Sequence, residues 1–177
     1  LDPDRALIRL QMGGAAARYA SLLSGSVDAT ILTLPYNLQA EKAGYKDLLW
    51  LGERLELPLA GLAVRDETIQ KNPKQVFGVV RAVFRAMVFA AANREETTQM
   101  LMNWLRLDRE VAARSYDLGK RSWSDGGVVS DAAVQSLVDQ SMLELKSKDP
   151  GPLDKVRNWS FAEQARRELE TVGPARQ

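Results

Sequence analysis

Two periods of hydrophobic and polar positions run along this chain, and the change from one to the other divides it. Ile8, Leu10 and Met12 alternate with Arg9 and Gln11, the pattern of a strand with one polar face. Gly13-Gly14 ends that run. From Ala15 the spacing shifts to Ala16, Tyr19, Leu22 and Leu23, one face of a helix, with Gly25 where a left-handed C-terminal cap is expected. Val27 to Leu32 then predicts a returning strand, so the opening reads as a βαβ unit. A short helix carrying Leu38, Ala40 and Ala43 stops at Gly44, and Leu48 to Leu51 predicts a third strand. Leu59 to Val64, beside Pro58 and Gly61, predicts a fourth strand or a crossing segment, with a hinge at residues 53–60.

Beyond this point the period is helical throughout. Asn72-Pro73 supplies a capping residue followed by proline at the first helical position, ahead of the broad stripe Val76, Val80, Val83, Phe84, Met87, Val88 and Ala91. Asn93 with Glu96 forms a capping-box pattern before Met100, Leu101, Trp104 and Leu105. Asp108 is placed to cap a helix through Val111, Ala112 and Leu118. Ser124-Asp125-Gly126-Gly127 reads as a turn, and Ser130 opens a helix that ends before Asp149-Pro150-Gly151-Pro152. Ser160 with Glu163 starts the last one.

Composition narrows the chemistry. The 177 residues are 45% hydrophobic, enough for one or two small domains, and the net charge of +1 leaves no electrostatic footprint for nucleic acid. The chain has no cysteine and no histidine. Disulfides, cysteine nucleophiles, histidine acid–base catalysis and zinc sites of the usual kind are therefore unavailable. No run approaches the roughly 20 apolar residues of a membrane span. The opening Leu1-Asp2-Pro3-Asp4 reads as a loop leading into a strand, the start expected of a mature, truncated or proteolysed piece.

A candidate site follows from the βα alternation. Parallel open sheets bind ligands beyond the carboxyl ends of their strands, where Gly13-Gly14 and the segment Thr33 to Tyr36 are both expected. A Gly-Gly turn opening a helix admits a ligand close to backbone N–H groups that lack helical partners, and favours an anion or a carbonyl oxygen. The same glycines also suit a plain tight turn. Neither GxGxxG nor GxxxxGK[ST] occurs.

Taken together, Leu1-Asp2-Pro3-Asp4, Gln11-Met12-Gly13-Gly14, the stretch Leu22 to Ala29, Leu34-Pro35-Tyr36, Ala40 to Tyr45 and Gly61-Leu62-Ala63-Val64 carry a resemblance. The chain resembles the substrate-binding proteins of ABC importers for sulfonates, nitrate, taurine and thiamine-pyrimidine precursors. Asn72-Pro73, Leu105 to Asp108 and Trp159 to Glu163 extend it toward the C-terminus. The resemblance implies an α/β type II periplasmic-binding-protein fold, of which this chain holds the C-terminal portion. Residues 1–55 are then part of lobe two, built of βαβ units, and residues 56–177 return to lobe one and supply its C-terminal helices.

That resemblance further implies a non-catalytic receptor that captures a small, anionic solute between two lobes and delivers it to an ABC permease, in a periplasmic or other extracytoplasmic setting. It requires no cofactor and no metal. It puts Gly13, Gly14 and Ala15 as backbone donors and Leu34, Pro35 and Tyr36 as the facing wall, with Ala60 and Gly61 where relatives carry a serine-containing loop. A homodimer or strand swap is expected to complete the missing sheet. Two other readings stand beside it: a helical interaction or regulatory module with an exposed apolar patch and no solute, and an enzyme like the thiamine-pyrimidine synthases, which depend on histidine and cysteine. Trp50, Trp104 and Trp159 are expected in packing roles, whereas Trp123, beside Arg121 and a glycine-rich turn, is placed to face a cleft or partner. The basic run Arg157 to Arg167 is expected to be a solvated helix face.

Overall fold

The computed structural model describes residue 2 and residues 6–56, 58–146 and 153–172. Its helices are α1 (Ala15–Leu23), α2 (Tyr36–Lys42), α3 (Asp66–Lys71), α4 (Pro73–Ala92), α5 (Arg94–Leu105), α6 (Arg109–Arg121), α7 (Asp131–Leu145), α8 (Leu153–Val156) and α9 (Ser160–Val172), with short 3-10 turns at Leu51–Glu53 and Asp125–Gly127. Most of the opening Leu1 to Asp4, and the whole Asp149 to Pro152 turn, lie outside the described residues.

The α/β expectation is overturned. Helix makes up 65% of the described residues and no strand or sheet occurs among them, which conflicts with βαβ units and with an α/β type II periplasmic-binding architecture. The alternation at Ile8 to Met12, Val27 to Leu32, Leu48 to Leu51 and Leu59 to Val64 sets which side chains share a face. A strand also needs a second backbone about 4.8 Å away with which to exchange hydrogen bonds. None of these stretches has one among the described residues, and several of their apolar side chains stand in solvent: Ile8 is 92% exposed, Leu48 85% and Leu59 83%.

Helix boundaries follow local chemistry closely. Gly25 (φ 70°) and Gly44 (φ 95°) take the left-handed cap positions. At each the two closing bonds of a Schellman motif form: Gly25 N–H to the Leu22 carbonyl and Ser26 N–H to Ser21, then Gly44 N–H to Glu41 and Tyr45 N–H to Ala40. Pro73 begins α4 as expected, although the Asn72 side chain makes no cap bond. Asn93 differs as well, because its amide donates to the Phe89 carbonyl at 2.8 Å and closes α4 instead of opening α5. Asp108 accepts from the Val111 N–H, and Ser130 Oγ from the Ala133 N–H. At α9 the side-chain acceptor is Asn158, which takes both the N–H and the hydroxyl of Ser160.

The chain forms two compact units, residues Leu1–Leu49 with Thr98–Gly119 and Trp50–Thr97 with Lys120–Gln177. In the first, Leu38, Leu107, Val111 and Ala112 form the buried cluster, with Leu34, Leu101, Met102 and Leu118 packed against it. Burying a leucine such as Leu38, 2% exposed, contributes about 2 kcal/mol. Lys42 pairs with Asp108 at 2.7 Å, and Arg114 grips both oxygens of Glu41 at 3.2 and 2.9 Å. The four partners are half-exposed, so the pairs orient α2 more than they stabilise it.

In the second unit α4 packs along α9, with Val76, Phe84, Ala162 and Ala165 buried. The Phe84 ring lies beside Gly127, 3.8 Å from where a Cβ would stand, and Gly127 takes the left-handed φ of 71°. Arg81 reaches Glu168 at 3.4 Å and stands over Phe77. Glu56 accepts both the N–H and the hydroxyl of Ser130 at the head of α7. Contrary to the expectation that no segment is long enough, α4 is long and apolar enough to cross a membrane by length and composition alone. It carries the ion-paired Arg81, and of its apolar residues Val76 and Phe84 are buried while Val79, Val83, Val88 and Phe89 are exposed. Trp104 departs from the expected packing role and is 81% exposed, while Trp123 is partly exposed. Arg157 departs too: it precedes α9, pairs with Asp131 at 2.6 Å and stands over Trp159.

Candidate functional site

The heads of α1 and α2 hold six of the eight candidate residues. Gly14 caps α1 with φ −61° and ψ 176°, and its carbonyl accepts the Arg18 N–H that closes the first turn. Nothing lies within 4 Å of where a Gly14 Cβ would stand, and a Gly13 Cβ would meet only Ala17 at 3.7 Å. Both glycines are exposed. No side chain caps α1 and no acidic residue sits in its first turn. The N–H groups from Ala15 onward therefore present the positive end of a helix with no built-in counter-charge.

The second wall forms in a different way. Thr33 accepts the N–H groups of Tyr36 and Asn37 at 2.9 and 3.4 Å, which turns Leu34 and Pro35, joined by a cis peptide bond, into the start of α2. Leu34 packs on the buried cluster and Pro35 is the residue preceding the helix. Tyr36 projects back to Tyr19, ring centroids 5.6 Å apart and planes at 42°, a tilted aromatic contact that fastens α2 to α1. Tyr19 follows Ala15 by four residues and shares its helix face. Ala15 and Tyr36 thus sit on neighbouring helices of one unit. Ala60 and Gly61 belong to the other unit, exposed and within the stretch of residues 58–65 that lacks regular structure.

Four further residues of this region are not marked as site residues by the sequence pattern. Tyr19 reads from the sequence only as part of an apolar helix face. Arg18 lies three residues after Ala15 and four before Leu22 on the packed face, a spacing visible in the sequence, and its Nε is buried with no hydrogen-bond partner. Asn37, next to Tyr36, has its Oδ1 in the same condition. Tyr45 donates its phenol to the Leu22 carbonyl at 3.0 Å, closing the far end of α1. At the far end of α2, the hydrogen bond from Lys42 and then the Val111 N–H hold Asp108 below the ordinary carboxylate range. The hydrogen bond to Asp108 raises Lys42. Among the described residues no group of three or more acidic side chains is placed to hold a metal ion.

A family model described as the NMT1-like family matches residues 1–105, more than half of the chain and every candidate residue within it. The chain belongs to the NMT1-like family. This membership supports the resemblance to binding proteins of the nitrate, sulfonate and taurine type, and is consistent with a solute-binding role in ABC import. No curated protein and no solved structure matches the chain. In this NMT1-like protein the matched residues extend from the N-terminal segment through the whole of α4 to the end of α5.

Proposed function

We propose that this protein is a non-catalytic, extracytoplasmic solute receptor of an ABC import system, and that it takes a small anion at the heads of α1 and α2. What supports the reading is the NMT1-like family match over residues 1–105, which includes Gly13, Gly14, Ala15, Leu34, Pro35 and Tyr36. The local chemistry agrees with it. An uncapped helix start with no acid in its first turn favours negative charge, and the Tyr19–Tyr36 contact supplies an aromatic wall.

The test is a binding panel on the full chain, with taurine, alkyl sulfonates, nitrate and aromatic acids followed by calorimetry. Gly14→Ala is the variant of choice, because its methyl group enters open space at an ordinary φ and leaves the fold intact. Saturable binding of one anion, weakened about tenfold or more by that methyl, is the expected result. Binding that is indifferent to Gly14→Ala moves the site elsewhere, and a panel without a single saturable solute sinks the receptor reading.

A second reading, a helical interaction module, is favoured by Trp104 and Leu143, each 81% exposed, and by Leu145 on the same helix as Leu143. It predicts no saturable solute and concentration-dependent self-association or partner binding that Trp104→Ser weakens.

A further inference from the structure

Two helices of the second unit carry the same outward pattern with opposite charge. On α4, Gly78, Ala82, Arg85 and Phe89 follow one another at intervals of four, three and four residues, which sets them in one line along the helix. Ala132, Ser136, Asp139 and Leu143 repeat those intervals on α7. Each line runs small, small, charged, apolar. Gly78 is partly exposed and the other seven residues are exposed. The buried residues of the two helices, Val76 and Phe84 on α4 and Ala133 and Val134 on α7, lie off these lines.

Charge makes the two lines complementary. α4 contains Lys74, Arg81 and Arg85 and no acidic residue, whereas α7 contains Asp131, Asp139 and Glu144 and no basic one. Arg81 and Asp131 are taken by Glu168 and Arg157. Among the described residues Arg85 and Asp139 have no ion-pair partner, and the bond to the Asp139 carboxylate comes from the neutral Gln135 amide at 2.7 Å. The Ser136 hydroxyl donates to the Ala132 carbonyl at 3.0 Å, so covering it strands no donor. Laid side by side in one direction, the lines set Arg85 on Asp139 and Phe89 on Leu143, while Gly78, with nothing within 4 Å of an added Cβ, and Ala82 leave room for Ala132 and Ser136. Run in opposite directions, each charge meets a small residue and the match is lost. Pairing α4 with another α4 puts Arg85 on Arg85, and α7 with another α7 puts Asp139 on Asp139.

We infer that α4 of one copy of this chain pairs in parallel with α7 of a second copy, Arg85 meeting Asp139 and Phe89 meeting Leu143. Each copy carries both lines, and a two-fold arrangement engages them twice. The inference stands apart from the solute-receptor reading, which concerns the first unit. A lipid surface suits α4 less well, because an interfacial helix keeps its charges opposite its apolar face and Arg85 lies within the line itself, four residues before Phe89. The seam is about 17 Å long, at the small end of protein contacts. Association is therefore weak, and dilute protein is monomeric.

The test is sedimentation equilibrium of the full chain from about 10 μM to about 1 mM, the range of weak affinities, at low and at high salt. A mass that rises with concentration above that of one chain, and less so at high salt, is the expected result. Arg85→Asp alone and Asp139→Arg alone each bring like charges together and should weaken association about tenfold or more. Both positions are exposed, so the melting temperatures should not change. Mixing the two variants in equal amounts should restore association, because Arg85 of one then meets Asp139 of the other and the exchanged charges meet as well. Phe89→Ser, which leaves every charge in place, should weaken association too. A wild-type chain that stays monomeric throughout overturns the inference, and so does a mixture that associates no better than either variant alone. Monomeric chain that sediments with phosphatidylglycerol vesicles would assign α4 to an anionic lipid surface and overturn the pairing.

Discussion

The carboxylate of Asp108 joins Lys42 at 2.7 Å across 66 positions of sequence while its other oxygen accepts the N–H of Val111 at 3.0 Å. One side chain therefore caps α6 and anchors the C-terminal end of α2, the helix that begins with Tyr36. The bond from Lys42 is the main reason that Asp108 titrates below the ordinary aspartate value, and the same bond raises Lys42. A depressed carboxyl contributes stability that is present above its unfolded value and is lost as pH falls through the folded one. A raised lysine contributes stability that is present below its unfolded value and is lost as pH rises through the folded one. The pair's contribution should be level between the ordinary aspartate and lysine values and decline on both sides. In urea titrations across pH, the stability gap between wild type and Asp108→Asn should close as the acid limb is descended. A gap that stays constant to low pH would show that the pair does not titrate as described.

Leu38 and Leu143 offer a contrast between burial and exposure at one residue type. Leu38 is 2% exposed within the cluster of Leu107, Val111 and Ala112, whereas Leu143 is 81% exposed. Leu38→Ala should cost about 2–5 kcal/mol in denaturant unfolding, and Leu143→Ala within about 0.5 kcal/mol of zero. Equal costs would place Leu143 in an interface.

Tyr45→Phe removes a single donor. The Leu22 carbonyl loses its 3.0 Å partner at the C-terminal end of α1 while the ring remains. A loss of about 0.5–1.5 kcal/mol is expected, with faster hydrogen exchange at Gly25 and Ser26, whose N–H groups close that end of the helix. Unchanged exchange there would show that the phenol does not hold the helix terminus.

Gly44 and Gly61 separate backbone need from open space. Gly44 has φ 95° and sits in the cap of α2, where a side chain is strained; Gly61 has nothing within 4 Å of its added Cβ and no positive φ. Gly44→Ala should destabilise by about 1–2 kcal/mol. Gly61→Ala should leave the melting temperature unchanged.

The helical half of the chain was legible because its signals are local. Pro73, Asp108 and Ser130 each begin a helix with the geometry read from the sequence. Asn93 and Ser160 were read correctly as boundaries but with the wrong acceptor. Asn93 has helix on both sides and its amide closes the earlier one, while Asn158 reaches Ser160 first. In the candidate site, Gly14 and Tyr36 were visible as helix starts. The contact that joins their helices was not, since Tyr19 and Tyr36 are 17 residues apart and a ring contact leaves no mark in either periodicity.

The sequence by itself determined where most of the longer helices start and stop and that histidine and cysteine chemistry is excluded. These depend on partners within about four residues or on composition alone. The tertiary structure decided the rest. Alternation at Ile8 to Met12 and Leu59 to Val64 marks segments able to pair, but pairing requires a backbone from elsewhere in the chain, and among the described residues none is brought alongside. Lys42 meeting Asp108 and Tyr45 meeting Leu22 likewise depend on which distant groups the packing delivers, and no local pattern encodes that.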